Sequence, residues 1–397
     1  MKRENIPPIE WRFSARAEQL KSSMIREILK VTQRPEVISF AGGLPSPETF
    51  PVERMRAAFD KVLAESGKTA LQYGPTDGFP PLREFIANSL SKNGTKISPD
   101  QVLMVSGSQQ GLDLLGKVLL DEGSKAVVET PSYLGALQAF SVYRPEFVPV
   151  GMDDLGLRPS DVAEKGKDAR LLYCLPNFQN PTGLTLSLAR RTELVELCAN
   201  MRIPLLEDDP YGALCYRGES LPKMLTMNPD GVIYMGSFSK VLTPGIRLGY
   251  VVAPVPLVRK LEQAKQAADL HTAQLTQMVV HEVVKDGFLD EHIPTIRSFY
   301  SGQCDIMLDA LGKFFPEGVT WTKPDGGMFI WVKLPAHIDS LALATESIAQ
   351  NVAFVPGVPF YAGNPETNTL RLSFVTVSRE RIYEGIEKLG KIIASKM

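Results

Sequence analysis

Short apolar runs alternate with helical stretches through the middle of this chain, and most of the runs break off at a group of polar residues. The runs are Gln101–Val105, Ala126–Glu129, Arg170–Leu175, Pro204–Glu207 and Val232–Met235, with Leu248–Val252 joining them. As strands they carry apolar side chains on both faces, and such strands need covering on both sides. A parallel sheet between helices does that. The stretches Gln109–Leu120, Ser132–Ser141 and Ser187–Asn200 read as the covering helices. The alternation predicts an α/β domain built on a mostly parallel sheet.

The pattern changes further along. From about Pro256 to Phe315 the reading is mostly helical. After Trp321 it becomes strand, helix, strand, helix over Gly327–Leu334, Ala342–Gln350, Leu370–Phe374 and Arg379–Ser395. This predicts a second, smaller α+β unit. Residues 1–50 hold one helical piece, Ser22–Thr32, and the Gly/Pro-rich stretch Ala41-Gly42-Gly43-Leu44-Pro45-Ser46-Pro47. They are expected to pack on the small unit rather than fold alone. The expected organisation is therefore residues 1–50 with the small unit, 51–315 as the large domain, and 316–397 as the small C-terminal domain.

Composition removes several classes of function. The chain has 397 residues with 43 basic against 45 acidic side chains, which leaves no electrostatic footprint for nucleic acid or an anionic membrane. No apolar stretch follows the charges of Met1–Pro8, and no run approaches the ~18 residues of a membrane span. Cys174, Cys198, Cys215 and Cys304 are widely and irregularly spaced, as are the four histidines, so no metal site is expected. A reduced, cytoplasmic protein is the expectation. No two of the 31 glycines stand two positions apart, so G-x-G-x-x-G is absent. Gly67-Lys68-Thr69 lacks the earlier P-loop glycine, because position 62 is Val62.

Ligands of open α/β sheets bind beyond the carboxyl ends of the strands, so those ends carry the chemistry. After the first run, Ser106-Gly107-Ser108-Gln109 opens a helix and forms a phosphate seat, or else Ser108 is a plain N-cap. After the second, Tyr133 can lie on a flat ligand or simply pack in the core. After the third comes Asn180-Pro181, a turn whose amide can donate to a phenolate oxygen. After the fourth, Asp208 needs a cationic partner if buried, and Tyr211 follows three residues on. The fifth leads into Gly236-Ser237-Phe238-Ser239-Lys240, seven residues before Arg247. Two hydroxyls, a lysine and an arginine suit a ligand with both an aldehyde and a phosphate. Near the C-terminus Arg371 shares a strand face with Thr369 and Ser373, where it can take a carboxylate or make a surface ion pair. All the strand ends suit one molecule, pyridoxal 5′-phosphate (PLP).

These pieces resemble the class I/II aminotransferases, PLP-dependent enzymes of the aspartate-aminotransferase fold. The resemblance rests on Gly107-Ser108-Gln109, Asn180-Pro181-Thr182-Gly183, Asp208-Asp209-Pro210-Tyr211, Ser237-Phe238-Ser239-Lys240, Arg247 and Thr369–Ser373, in the family's order over about residues 20–395. Ser39–Pro45, Leu71–Gly78, Gln263–Thr272 and Val352–Gly357 resemble its 2-aminoadipate aminotransferase subgroup, whose members handle 2-aminoadipate, glutamate, aromatic and aliphatic amino acids. The resemblance implies that Lys240 forms the Schiff base and moves the proton, and that Asp208 pairs with the pyridine nitrogen. Asn180 and Tyr211 would bond the ring's phenolic oxygen, and Tyr133 would stack on the ring. Ser108, Gln109, Ser237, Ser239 and Arg247 would hold the phosphate, with Gly107 allowing close approach. Tyr73 would reach the phosphate of a neighbouring subunit, making the active unit a homodimer. Arg371 would clamp the α-carboxylate, Gly43 would lie near the substrate, and Arg26 would read a distal carboxylate. By periodicity alone Arg26 is equally an exposed helix residue bonded to Glu27 or Glu18.

The implied reaction is ping-pong transamination from an L-amino acid to a 2-oxo acid, with 2-oxoglutarate the expected acceptor. Two rivals share these residues. One is another PLP enzyme of the same fold, a β-lyase, decarboxylase or racemase. The other is a PLP-sensing regulator that carries a DNA-binding module, for which the chain offers neither a preceding segment nor a basic patch.

Overall fold

The computed structural model describes residues 9–18, 34–92 and 94–397. The predicted helix Ser22–Thr32 lies outside the described residues. Among the described residues no helix is long and apolar enough to cross a membrane.

In chain order, β1 is Ile38–Ser39, β2 Val102–Val105, β3 Lys125–Thr130, β4 Glu146–Asp153, β5 Gly156–Leu157, β6 Leu171–Cys174 and β7 Leu205–Asp208. Then follow β8 Val232–Ser237, β9 Gly249–Val252, β10 Thr320–Trp321, β11 Phe329–Lys333, β12 Val352–Ala353, β13 Val355–Pro356 and β14 Thr369–Ser373. The large sheet has eight strands in the order β2-β9-β8-β7-β6-β3-β4-β5. Its centre, from β8 through β7, β6 and β3 to β4, is parallel. The exception among the predicted strands is β9, which runs antiparallel to both β8 and β2. The connection from β8 to β9 holds only a short 3-10 turn, Pro244–Ile246, and no crossover helix, so the chain folds straight back.

The two-faced strands behave as their composition demands. Leu103, Val105, Val128, Leu171, Tyr173, Leu206, Ile233 and Val251 join one core cluster. Their neighbours Val102, Met104, Val127, Leu172, Leu205, Val232 and Val252 join the other. Helices Ser108–Leu119 and Leu134–Ser141 cover the first face through Leu112, Leu115 and Phe140. Helices Pro80–Leu90, Leu188–Met201 and Gln274–Val284 cover the second through Leu82, Leu194 and Val283. Cutting a fully buried Leu206 or Leu172 to Ala removes roughly 2–5 kcal/mol of stability.

Strand β4 is absent from the sequence reading because Pro149 interrupts it. Proline survives there because the outer neighbour β5 pairs only with Met152 and Asp153, leaving the outer edge open at Pro149. Helix starts are legible where a side chain caps them. Ser187 accepts from the Arg190 N–H, Ser378 from Arg381, and Asp339 from Leu341 and Ala342.

A second, antiparallel sheet has the order β10-β11-β14-β13. Helices Phe288–Phe314 and Arg379–Ala394 pack together beneath it, with Met307, Leu311, Ile386 and Leu389 in the same core as the first sheet face. The early segment is tied to this unit. β1 pairs in parallel with β12, and the Ser373 N–H donates to the Phe40 carbonyl at 2.8 Å. That anchoring brings Gly42 and Gly43 to the mouth of the gap between the two sheets, where Gly43 lines the main cavity.

Candidate active site

A cavity of about 610 Å³ opens at the carboxyl ends of the large sheet's central strands. One end is built by the turn after β2. Gly107 takes φ 82° and stands at the N-cap, a conformation that favours glycine. A Cβ there would fall 2.4 Å from a guanidinium nitrogen of Arg247, so the arginine lies directly against the glycine. Ser108 is therefore the first helical residue and makes no side-chain cap bond, which corrects the plain N-cap alternative. Ser108 lines the cavity, and with it the positive end of the helix dipole. Gln109 is fixed by donating to the Gly135 carbonyl at 2.9 Å. Across the cavity end, Ser237 closes β8 and its hydroxyl accepts from the Ser239 N–H at 3.1 Å. Arg247 itself has φ 49°, a left-handed backbone unusual for arginine. Ser108, Gln109, Ser237, Ser239 and Arg247 all line this cavity.

The middle of the cavity carries Tyr133, Asn180, Asp208, Tyr211 and Lys240. The Tyr133 ring lies so close to Gly135 that a Cβ there would meet it at 2.4 Å. Asp208 is buried at the end of β7, and among the described residues its carboxylate accepts one hydrogen bond, from the Tyr173 hydroxyl at 2.8 Å. Burial pushes its carboxyl up to about 7, the Tyr173 bond pulls it down, and the Asp209 charge pushes it up again. Among the described residues no cation pairs with it. Lys240 is half-buried, donates to the Gly43 carbonyl at 2.9 Å, and stands 5.9 Å from the Tyr211 ring centre. Burial, then Arg371 and Arg247, bring its ammonium down to about 8. An amine so placed is free of its proton far more often than an ordinary lysine.

Arg371 closes the other side. It is buried within β14, so the surface ion pair considered from sequence is not what forms. Its guanidinium donates to Asn180 Oδ1 and to the Ala41 carbonyl, each at 2.8 Å. It lies 4.2 Å from the Phe329 ring centre and 5.2 Å from that of Phe360, while its Nε has no partner among the described residues. Burial lowers its pKa to about 10. Among the described residues no carboxylate pairs with it, and a buried guanidinium left so suits an anion.

Tyr73 stands apart from the cavity, 77% exposed, with its ring edge-on to His271 at 5.6 Å. Arg26 lies outside the described residues. Sequence reasoning missed Tyr173, which sits in an apolar run and reads as core, and the two phenylalanines against Arg371. It also missed the buried pair Glu129 and Gln179, bonded at 3.1 Å, which links the turns that carry Tyr133 and Asn180. The polar Glu129 at the end of an apolar run was the one visible sign of that pair.

Residues 35–389 match the family Aminotransferase class I and II. The chain belongs to this family. It is 45% identical to aromatic-amino-acid aminotransferase 1 of Thermococcus litoralis, over 97% of this chain and 94% of that one. It is 44% identical to the 2-aminoadipate transaminase of Thermus thermophilus, over 98% of each. The crystal structure of LysN, the α-aminoadipate aminotransferase of Thermus thermophilus bound to N-(5′-phosphopyridoxyl)-L-leucine, superposes with a TM-score of 0.90 at 43% identity. It covers 96% of this chain and 97% of that one. The fold is that of the PLP-dependent aminotransferases, and PLP is the cofactor.

Proposed function

We propose that this enzyme transfers the amino group of an L-amino acid to a 2-oxo acid at the cavity bearing Lys240. The observation that carries the reading is a set of charged groups on one cavity that have no counter-ion among the described residues: the buried Asp208 carboxylate and Arg371 guanidinium and the half-buried Lys240 amine. PLP fits them. Asp208 would hold the protonated ring nitrogen, and Asn180 and Tyr211 the phenolic oxygen. Ser108, Gln109, Ser237, Ser239 and Arg247 would hold the phosphate, with Gly107 leaving room for it. Tyr133 would cover the ring, and Lys240 would be the amine that takes the aldehyde. Bound there, PLP supplies an electron-withdrawing ring that delocalises charge developing at the substrate's Cα.

The chain's own groups do the rest. Arg371 receives the α-carboxylate in its fork and so orients the Cα–H bond. Asn180 holds Arg371 in place through its Oδ1. Lys240, its ammonium brought down to about 8, would take the Cα proton on its Nζ and pass it to the cofactor carbon that carried the aldehyde. The Gly43 carbonyl steadies that Nζ between transfers. Product 2-oxo acid leaves before the acceptor enters, so one site serves both half-reactions in ping-pong fashion.

The donors we assign are the classes named for the relatives, 2-aminoadipate and aromatic amino acids, with glutamate and aliphatic amino acids as further members; 2-oxoglutarate is the acceptor. Arg26 would meet the distal carboxylate of an acidic donor. Tyr73, exposed and outside its own cavity, suits contact with the phosphate of a second copy in a homodimer. The large domain is taken as residues 51–315, and the small one as 316–397 with the first 50 residues packed on it. A panel of amino acids added to PLP-loaded protein tests the reading. Loss of the visible cofactor band with release of a 2-oxo acid supports it; ammonia, CO₂ or a D-amino acid as product replaces it with a lyase, decarboxylase or racemase.

A further inference from the structure

Asp208 and Asp209 are neighbours at the end of β7 with opposite surroundings. Asp209 accepts from Asn177 Nδ2 at 2.7 Å, Gly212 N at 2.8 Å, Lys223 Nζ at 3.0 Å and the Tyr234 hydroxyl at 3.1 Å. Among the described residues the Asp208 carboxylate accepts only from Tyr173, at Oδ2. Tyr173 is fully buried in the adjacent strand β6, with its ring edge-on to Phe140 at 5.8 Å, so its hydroxyl is fixed in direction. One oxygen of Asp208 is thereby held, and the residue lines the cavity. The titratable groups around Asp208 are Tyr173 on β6, Asp209 next in the chain, Glu129 on β3, Tyr133 at the head of its helix and Tyr211 in the following turn. None of these is a cation. The cations around them are Arg371 and Arg247, which act on Tyr133; Lys240, 5.9 Å from the Tyr211 ring centre; and Lys223 and Arg191, which act on Asp209. Of these, Lys223 pairs with Asp209 at 3.0 Å.

We infer that Tyr173 and Lys223 are positioning residues for the transamination site. Tyr173 locks one oxygen of Asp208, and Lys223 neutralises Asp209, so that Asp208 is presented as an anion to the ring nitrogen of PLP. The inference rests on the site reading above. Its consequence has a definite sign. The Tyr173 bond favours the charged carboxyl, whereas an uncompensated Asp209 opposes it. Losing either the hydroxyl or the lysine charge moves the Asp208 titration upward. Activity that needs ionised Asp208 then fails at a higher pH on the acid side.

The test uses PLP-loaded Tyr173→Phe, Lys223→Met and Lys223→Arg. Rate against pH gives kcat and KM, and equilibrium dialysis gives PLP retention at each pH. Tyr173→Phe is expected to raise the acid-limb midpoint by about one pH unit. It lowers kcat about tenfold at the acid end and leaves the amino-acid KM within about twofold. PLP retention weakens with it on the acid side. Lys223→Met shifts the limb the same way, and Lys223→Arg restores it. Acid limbs and PLP retention that coincide with wild type in Tyr173→Phe and Lys223→Met overturn the inference, leaving both residues as mere packing. If Tyr173→Phe does not fold, the two Lys223 variants decide by the same criterion. Wild-type protein that neither binds PLP nor transaminates sinks the site reading instead, a separable result.

Discussion

Buried ions occur in two regions of this molecule, and they are treated in opposite ways. Away from the cavity, Arg191 donates to the carbonyls of Leu186, Pro222 and Pro176 and to Asn177 Oδ1. Lys265 pairs with Asp269 at 2.7 Å and Gln110 at 3.1 Å, and Asp209 accepts from four donors. At the cavity, their counterparts Arg371, Lys240 and Asp208 each keep capacity unspent. Burying an ion without full pairing costs several kcal/mol, so a chain that saturates one set and leaves the other open reserves the second for ligands.

The comparison breaks most visibly at Lys240. Lys240→Ala is expected to lose turnover by on the order of 10³-fold or more and to abolish the visible cofactor band, as read by absorbance and single-turnover kinetics. Asp208→Asn is isosteric and should keep the fold by circular dichroism. Its kcat should fall by roughly 10²–10³-fold, because no anion remains for the ring nitrogen. Arg371→Leu should lower kcat/KM by about 10²-fold for amino acids while leaving PLP binding unchanged by dialysis. Arg191→Met probes the saturated set. It orphans three carbonyls and an amide, so denaturant titration should show about 2–4 kcal/mol less stability.

The smallest effect is on pH dependence. In the apoenzyme Lys240 titrates near 8 rather than at the ordinary 10.5. Between those values the unfolded chain holds a proton that the folded chain has released. Stability therefore gains a contribution as pH rises from 8 to 10.5. Unfolding midpoints of apo wild type and Lys240→Met across that range measure it, and the rise should be missing in the variant.

Much of this was legible in the sequence because strand ends are marked by abrupt changes of polarity. The runs Pro204–Glu207 and Val232–Met235, which lead into Asp208 and Lys240, match β7 and β8 within about a residue or two at each end. What could not be read was contact across the sheet. Tyr173 looks like any apolar-strand tyrosine until β6 is seen beside β7, with its hydroxyl on Asp208. Arg371 was visible as a strand arginine, but its two aromatic neighbours come from 42 and 11 residues away (371 − 329 and 371 − 360), through β11 and the turn before β14. The direction of β9 follows from the missing crossover helix, a length argument that apolar periodicity does not carry.

Borohydride reduction of PLP-treated protein followed by peptide mapping tests the central claim most directly, since it asks which lysine the open region reserves for the aldehyde. The account predicts a stable pyridoxyl label on Lys240 and none on the saturated Lys265 or Lys223. A label on another lysine, or none while PLP stays bound, would contradict it.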